Sequence, residues 1–149
     1  MEISGTTPAS NVSGEILLSE RGGGLYLEGV LTGLPSGKHG FHIHEKGDCS
    51  DAGKAAGGHF NPDKVDHGDM VKDGMTKAHP GDMGNIEANA KGKGVVKIFL
   101  PGAALTEGKY AIVGKSIIVH EKEDDFSQPT GNAGERIGCG VIMAVEEKE

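Results

Sequence analysis

The chain has 149 residues, enough for one domain with its own core. Glycine is abundant at 26 residues, aromatics make up 4% and tryptophan is absent, which favours short strands joined by turns over helices. The formal net charge of -7 argues against a nucleic-acid partner and a basic membrane anchor, and no apolar run approaches the ~20 residues of a transmembrane helix.

In chain order, residues 1–14 are small and polar, and only Glu2 to Ser4 could form a strand stub. Val12 to Ser19 and Leu25 to Leu34 alternate apolar and polar residues around Arg21-Gly22-Gly23-Gly24, the pattern of a hairpin with a glycine-rich turn. Leu25, Leu27 and the Gly29/Leu31 side then share one face, and Tyr26, Glu28 and Val30 take the other. Pro35-Ser36-Gly37 turns the chain into a segment carrying His42-Ile43-His44. On a strand, residues two apart point to the same side, so both imidazoles aim at one place; on a helix they would diverge. Such a pair, by itself a weak signal, is half of a copper or zinc site or a polar edge strand.

From Glu45 to Gly84 strand signals nearly vanish over about forty residues rich in Gly, Asp, Lys and His. A loop this long is either a solvated insertion or functional. His59, His67, His79 and Asp82 fall in it, and metal coordination could supply the order that burial cannot. Strands resume at Asn85 to Ala90 and Gly94 to Leu100, a hairpin across Lys91-Gly92-Lys93. Further alternation covers Tyr110 to Val113 and Lys115 to His120; a second irregular stretch, Glu121 to Ile137, precedes a closing strand at Cys139 to Val145. Seven or eight short strands without a repeat make an all-β barrel or sandwich with two long functional loops.

Six of the seven histidines lie at strand ends or in the long loop; with Asp82 they make seven ligands. That is too many for one tetrahedral ion, but it suits two metals sharing an imidazole. His39 is read as structural. Cys49 and Cys139 are 90 positions apart. Bonded, they would close a loop worth about 4–5 kcal/mol in the chain-entropy model; free, they would be small core residues.

The segments GFHIHEKGD, GGHFNP, HPGDMGNI, IIVHEKEDD and GNAGERIGCGVI, in this order and spacing, closely resemble the copper–zinc superoxide dismutases from about Val12 onward. The resemblance implies a single domain over 1–149: an eight-stranded antiparallel Greek-key barrel, immunoglobulin-like, with its first strand short or truncated. It implies one copper per chain on His42, His44, His59 and His120, and one zinc on His59, His67, His79 and Asp82, with His59 bridging. Asp124 matches the carboxylate that links a copper histidine, His42 or His44, to His67; taken alone it would be a charge in an acidic run. Cys49 and Cys139 match the family's disulfide. Arg136 matches the arginine that docks the anion, and Thr130 the residue that narrows its channel. The implied activity is dismutation of superoxide to oxygen and hydrogen peroxide by alternate reduction and reoxidation of copper.

Three departures stand out. Eleven residues separate His67 from His79, so the loop between them follows its own path. Pro80 stands where a small or apolar residue is common. Only sixteen positions separate His120 from Arg136, a short loop of the bacterial kind, which leaves Lys46, Lys54 and Lys122 as candidate steering cations. A short first strand would need a shifted strand, a bulge or a partner chain to cover open hydrogen bonds. The other reading is a non-catalytic copper-binding or chaperone-like module; the full ligand set, Arg136 and the lack of a Cys-x-x-Cys motif weigh against it. The expected partner is the superoxide anion, with no nucleic acid and no membrane, in a homodimer. The expected compartment is periplasmic or extracellular, as a mature chain without its signal peptide; the alternative is cytoplasmic.

Overall fold

The structure, a computed structural model, describes residues 1–62, 64–68, 78–128 and 131–143. Eight antiparallel strands close into a barrel in the order β1-β2-β3-β6-β5-β4-β7-β8. They are β1 (Glu2–Gly5), β2 (Ser13–Arg21), β3 (Gly24–Thr32), β4 (Gly37–His44), β5 (Asp82–Ala88), β6 (Gly94–Pro101), β7 (Ser116–His120) and β8 (Arg136–Val141). The jumps from β3 to β4 and from β6 to β7 give the Greek-key connectivity expected from the sequence.

The β2–β3 hairpin turns on Gly22 and Gly23, whose φ values of 56° and 83° are the left-handed pair that a two-residue turn requires. Its alternation falls as read: Leu25, Leu27 and Leu31 are buried, while Glu28 and Val30 face solvent. The core is completed by Ile3, Ile16, Phe41, Ile43, Val96, Leu100, Ile117 and Val119.

The short first strand suffices to close the barrel. Its four residues pair with β2 through Glu2, Ile3 and Ser4 and with β8 through Ser4 and Gly5, while Ile3 enters the core. Neither a partner chain nor a bulge is needed for closure.

Tyr110 to Val113 is not a strand. One parallel bridge joins Ala111 to Ala104, and the amides of Ile112 and Val113 donate to the carbonyls of Ala104 and Leu105. The apolar side chains there serve to bury Ile112 against the core, and alternation alone cannot separate that from a ladder. The last strand starts earlier than expected, at Arg136, and ends at Val141; Ala144 and Val145 lie outside the described residues. Likewise β5 starts at Asp82, which therefore sits on a strand.

Strand β4 decides where the site lies. Phe41 and Ile43 point into the core, so His42 and His44 point outward, yet both are buried because loops cover that face. The loop after β4 is tied down by the Cys49–Cys139 disulfide, around which Ala56 and Ile118 form a second small apolar cluster. Reduction of this bond should lower the unfolding free energy by about 4–5 kcal/mol, read by urea denaturation with and without reductant. An unchanged midpoint would mean that the loop packs without its tether.

Candidate metal centre

The strand registers bring the functional residues together. His42 of β4 lies across from Asp82 of β5 and Ile118 of β7, and His44 bridges to His59. His120, at the end of β7, pairs with Arg136 at the start of β8. His42, His44, His59, His67, His79 and His120 are all buried, as are Asp82 and Asp124.

They form two groups that share His59. The ligand atoms of His42, His44, His59 and His120 lie within 4.8 Å of one another, as do those of His59, His67, His79 and Asp82. The ring centroids of His42 and His59 are 4.1 Å apart, and those of His59 and His67 are 5.1 Å apart.

The hydrogen bonds fix which nitrogen each ring offers. His42 Nε2 lies 2.7 Å from Asp124 Oδ2, His44 Nδ1 2.9 Å from the Gly57 carbonyl and His120 Nδ1 3.2 Å from the Gly134 carbonyl. His67 Nε2 lies 2.8 Å and 2.9 Å from the two Asp124 oxygens. These oxygens only accept, so those nitrogens carry the hydrogen, and in the neutral ring the opposite nitrogen keeps a lone pair. The opposite atoms, His42 Nδ1, His44 Nε2, His120 Nε2 and His67 Nδ1, are buried with no hydrogen-bond partner among the described residues. His67 Nδ1 lies 2.8 Å from Asp82 Oδ2, but not in the orientation of a hydrogen bond. Each such unpaired atom costs about 1–3 kcal/mol in a dry interior, so these nitrogens, three facing the first group and one the second, make poor core packing and a good cradle for cations.

Proton affinities follow from the same geometry. Burial, then the neighbouring His59, pushes His44 far below the ordinary histidine value. Burial also lowers His59 to about 4, outweighing Asp82, and lowers His120 to about 3, assisted by His42. His67 is opposite in sign: burial works against its proton, but Asp124 and Asp82 outweigh it and raise the group to about 9. Burial opposes the charge on Asp82 and Asp124, yet histidine hydrogen bonds hold both well below the usual carboxylate range. The first group thus offers nitrogens alone. The second includes a carboxylate and suits a permanent divalent cation in a closed site.

The bridging carboxylate is itself held in place. Asn85 of β5 donates from Nδ2 to the Asp124 carbonyl and accepts from the Asp124 amide at 2.7 Å. Asp124 reaches His42, not His44, on the strand side. Gly131, at φ 86°, passes so close that a Cβ there would lie 1.9 Å from Asp124 Oδ1. Asn85 was not singled out from the sequence; its signal was its place in the HPGDMGNI segment.

Arg136 donates from Nη1 to the Gly53 carbonyl at 2.7 Å and from Nη2 to the Gly57 carbonyl at 2.6 Å. Its charge is close enough to disfavour protons on His44 and His120. It lines a cleft of about 300 Å³ with Lys54, Glu135 and Thr7; neither Lys46 nor Lys122 lines that cleft. His39 lies buried with Nδ1 2.9 Å from the His120 carbonyl and Nε2 2.6 Å from the Pro35 carbonyl, outside the ligand groups. Thr130 and most residues between His67 and His79 lie outside the described residues.

Residues 12–142 match the family model for copper/zinc superoxide dismutase. The extracellular Cu-Zn superoxide dismutase of Caenorhabditis elegans is 45% identical over 142 residues, covering 91% of this chain and 62% of its own length. The chain thus spans less than two thirds of that relative. The extracellular Cu-Zn enzyme of Drosophila melanogaster is 42% identical over 143 residues, covering 89% of this chain and 76% of its own length. The crystal structure of the clock protein EA4 superposes with a TM-score of 0.84 at 34% identity, over 97% of this chain and 92% of that one. The chain belongs to the copper/zinc superoxide dismutase family.

Proposed function

We propose that this chain disproportionates two superoxide anions and two protons to oxygen and hydrogen peroxide. Copper would be held by His42, His44, His59 and His120, and zinc by His59, His67, His79 and Asp82. The observation that carries the reading is the convergence of buried, partnerless nitrogens of His42, His44 and His120 beside His59, with Arg136 at the same site.

Copper, when bound, supplies the one-electron couple that lets one superoxide give up an electron and the next accept it. The protein does the rest. Two carbonyls pin Arg136 Nη1 and Nη2, and its remaining N–H groups would orient an anion and offset its charge. Lys54, lining the same cleft, adds positive charge in a chain whose net charge is -7. His59 Nδ1 faces Asp82 and His79, which leaves Nε2 as the atom to carry a proton to the departing peroxide. His67, His79 and Asp82 hold that ring in place. Thr130 is proposed to narrow the channel.

The reading extends to a secreted homodimer. A disulfide persists in oxidising compartments, and two relatives are named extracellular. Leu17, Val30 and Val95 stand exposed on the adjacent strands β2, β3 and β6, apolar surface that a second copy would cover. Sedimentation should give a dimer at micromolar concentration, and a monomer there would remove the assembly from the proposal.

Activity is tested by pulse radiolysis on a sample with copper and zinc quantified. Turnover should fall as ionic strength rises, and Arg136→Ala should lower it by at least about tenfold at unchanged metal content. Full copper occupancy without turnover would leave a copper-handling protein on this barrel.

The metal assignment has its own test. Zinc must displace the His67 proton, which is retained up to about pH 9 in the metal-free protein because Asp124 and Asp82 outweigh burial. Zinc affinity should therefore rise roughly tenfold per pH unit towards pH 9 and level off above it, as read by chelator competition. An affinity flat between pH 7 and 9 would show that zinc displaces no proton from His67 in that range.

A further inference from the structure

Between Asp124 and Gln128, every second residue touches His67, each by a different part. Asp124 accepts from its Nε2 at 2.8 Å and 2.9 Å. The Phe126 ring lies nearly parallel to the imidazole, at 16° with centroids 6.4 Å apart. The Gln128 side chain takes both backbone groups: the His67 amide donates to Oε1 at 2.8 Å, and Nε2 donates to the His67 carbonyl at 2.6 Å. The intervening residues close the turn elsewhere. The Ser127 amide donates to Asp125 Oδ1, the Gly131 amide to the Ser127 carbonyl and the Asp125 amide to the Gly131 carbonyl.

The placement of Phe126 is not explained by burial, since 40% of it is exposed. Its backbone has φ 62°, which L residues seldom adopt, and its amide is held by Asp124 Oδ1 at 2.8 Å. What that conformation achieves is the ring's position over His67. Gln128 is equally specific, because one amide side chain satisfies the donor and the acceptor of the same residue, as a neighbouring strand would.

We propose that Phe126 and Gln128 are positioning residues for the second metal group. With Asp124 they make a three-point latch that fixes the tautomer, the ring plane and the backbone of His67. The inference rests on the proposed assignment of zinc to that group. In a loop with little regular structure, the latch substitutes for a strand and transfers the rigidity of β5 and β7, through Asp124, to a ligand on neither. Orienting partners of metal ligands typically change metal affinity 10–100-fold when removed.

The test uses the full, metal-loaded chain and reads zinc release to a chromogenic chelator, copper retention and thermal unfolding. Cobalt(II) in the zinc position adds a visible spectrum sensitive to ligand geometry. Gln128→Ala and Phe126→Leu should each speed zinc release about tenfold or more and alter the cobalt bands, while copper content and the unfolding temperature stay unchanged. Phe126→Tyr, which keeps a ring, should behave as the parent. Release within twofold of the parent in both variants overturns the latch, and so does equal acceleration of both metals, which would be general loosening. A parent chain that takes up no cobalt in tetrahedral coordination overturns the zinc assignment, and the latch with it.

Discussion

One carboxylate joins the rigid and irregular halves of the site. Asp124 bonds His42, whose backbone is locked between β5 and β7, and with the same side chain bonds His67, whose segment belongs to no strand. Both rings must then expose their other nitrogens towards the two ligand groups. The lone pairs of His42 Nδ1 and His67 Nδ1 are thus fixed by one anion, and the two groups inherit a common geometry. That is why so much backbone is spent on Asp124: Asn85 grips its amide and carbonyl, and Gly131 yields the space a Cβ would occupy.

Burial makes this arrangement expensive without cations. Asp82 and Asp124 are almost fully enclosed, and a buried carboxylate is tolerated only when its oxygens are bonded. Asp82 accepts backbone amides from Gly68 and His79 and faces three imidazoles; Asp124 faces two and accepts the Phe126 amide. In the metal-free chain a proton held by His67 supplies positive charge between them, and a bound divalent ion would replace it. The first group has no carboxylate among its own members, and burial, assisted by neighbouring imidazoles, keeps the rings of His44, His59 and His120 neutral. The two groups therefore differ in electrostatic character although they share a ring.

Much of this was legible in the chain. Alternation around Gly22-Gly23 gave the hairpin, and the one-residue gap in His42-Ile43-His44 gave a shared face, because strand geometry leaves no other outcome. Motif order singled out the histidines and Asp82 that the fold gathers into two groups. What the residues did not disclose depends on contacts between distant segments. Tyr110 to Val113 alternates like a strand but finds its partners in the preceding connection, and β1 looked too short because its role needs only two or three pairs on each side. Phe126 and Gln128 gave no signal, since an amide or an aromatic ring in a polar stretch has no periodicity to betray what it touches, and Asn85 had only its place in a motif.

The disulfide has a further consequence through the Gly57 carbonyl. That oxygen accepts from Arg136 Nη2 and from His44 Nδ1, so a single loop carbonyl sets both the guanidinium and the tautomer of a first-group ligand. Gly57 closes the short 3-10 turn Lys54–Ala56, and Gly53, the other acceptor of Arg136, opens it. The turn lies between Cys49 and His59, and Cys49 is bonded to Cys139, three residues beyond Arg136 on β8. Loop and strand therefore hold each other twice, by a covalent bond and by the guanidinium fork. An arginine tied only by solvent-facing hydrogen bonds would sample many rotamers; here the strand that carries it is cross-linked to the loop that receives it. The Arg136 guanidinium and the His44 imidazole are thereby oriented by the same short turn, and any movement of that turn alters both together.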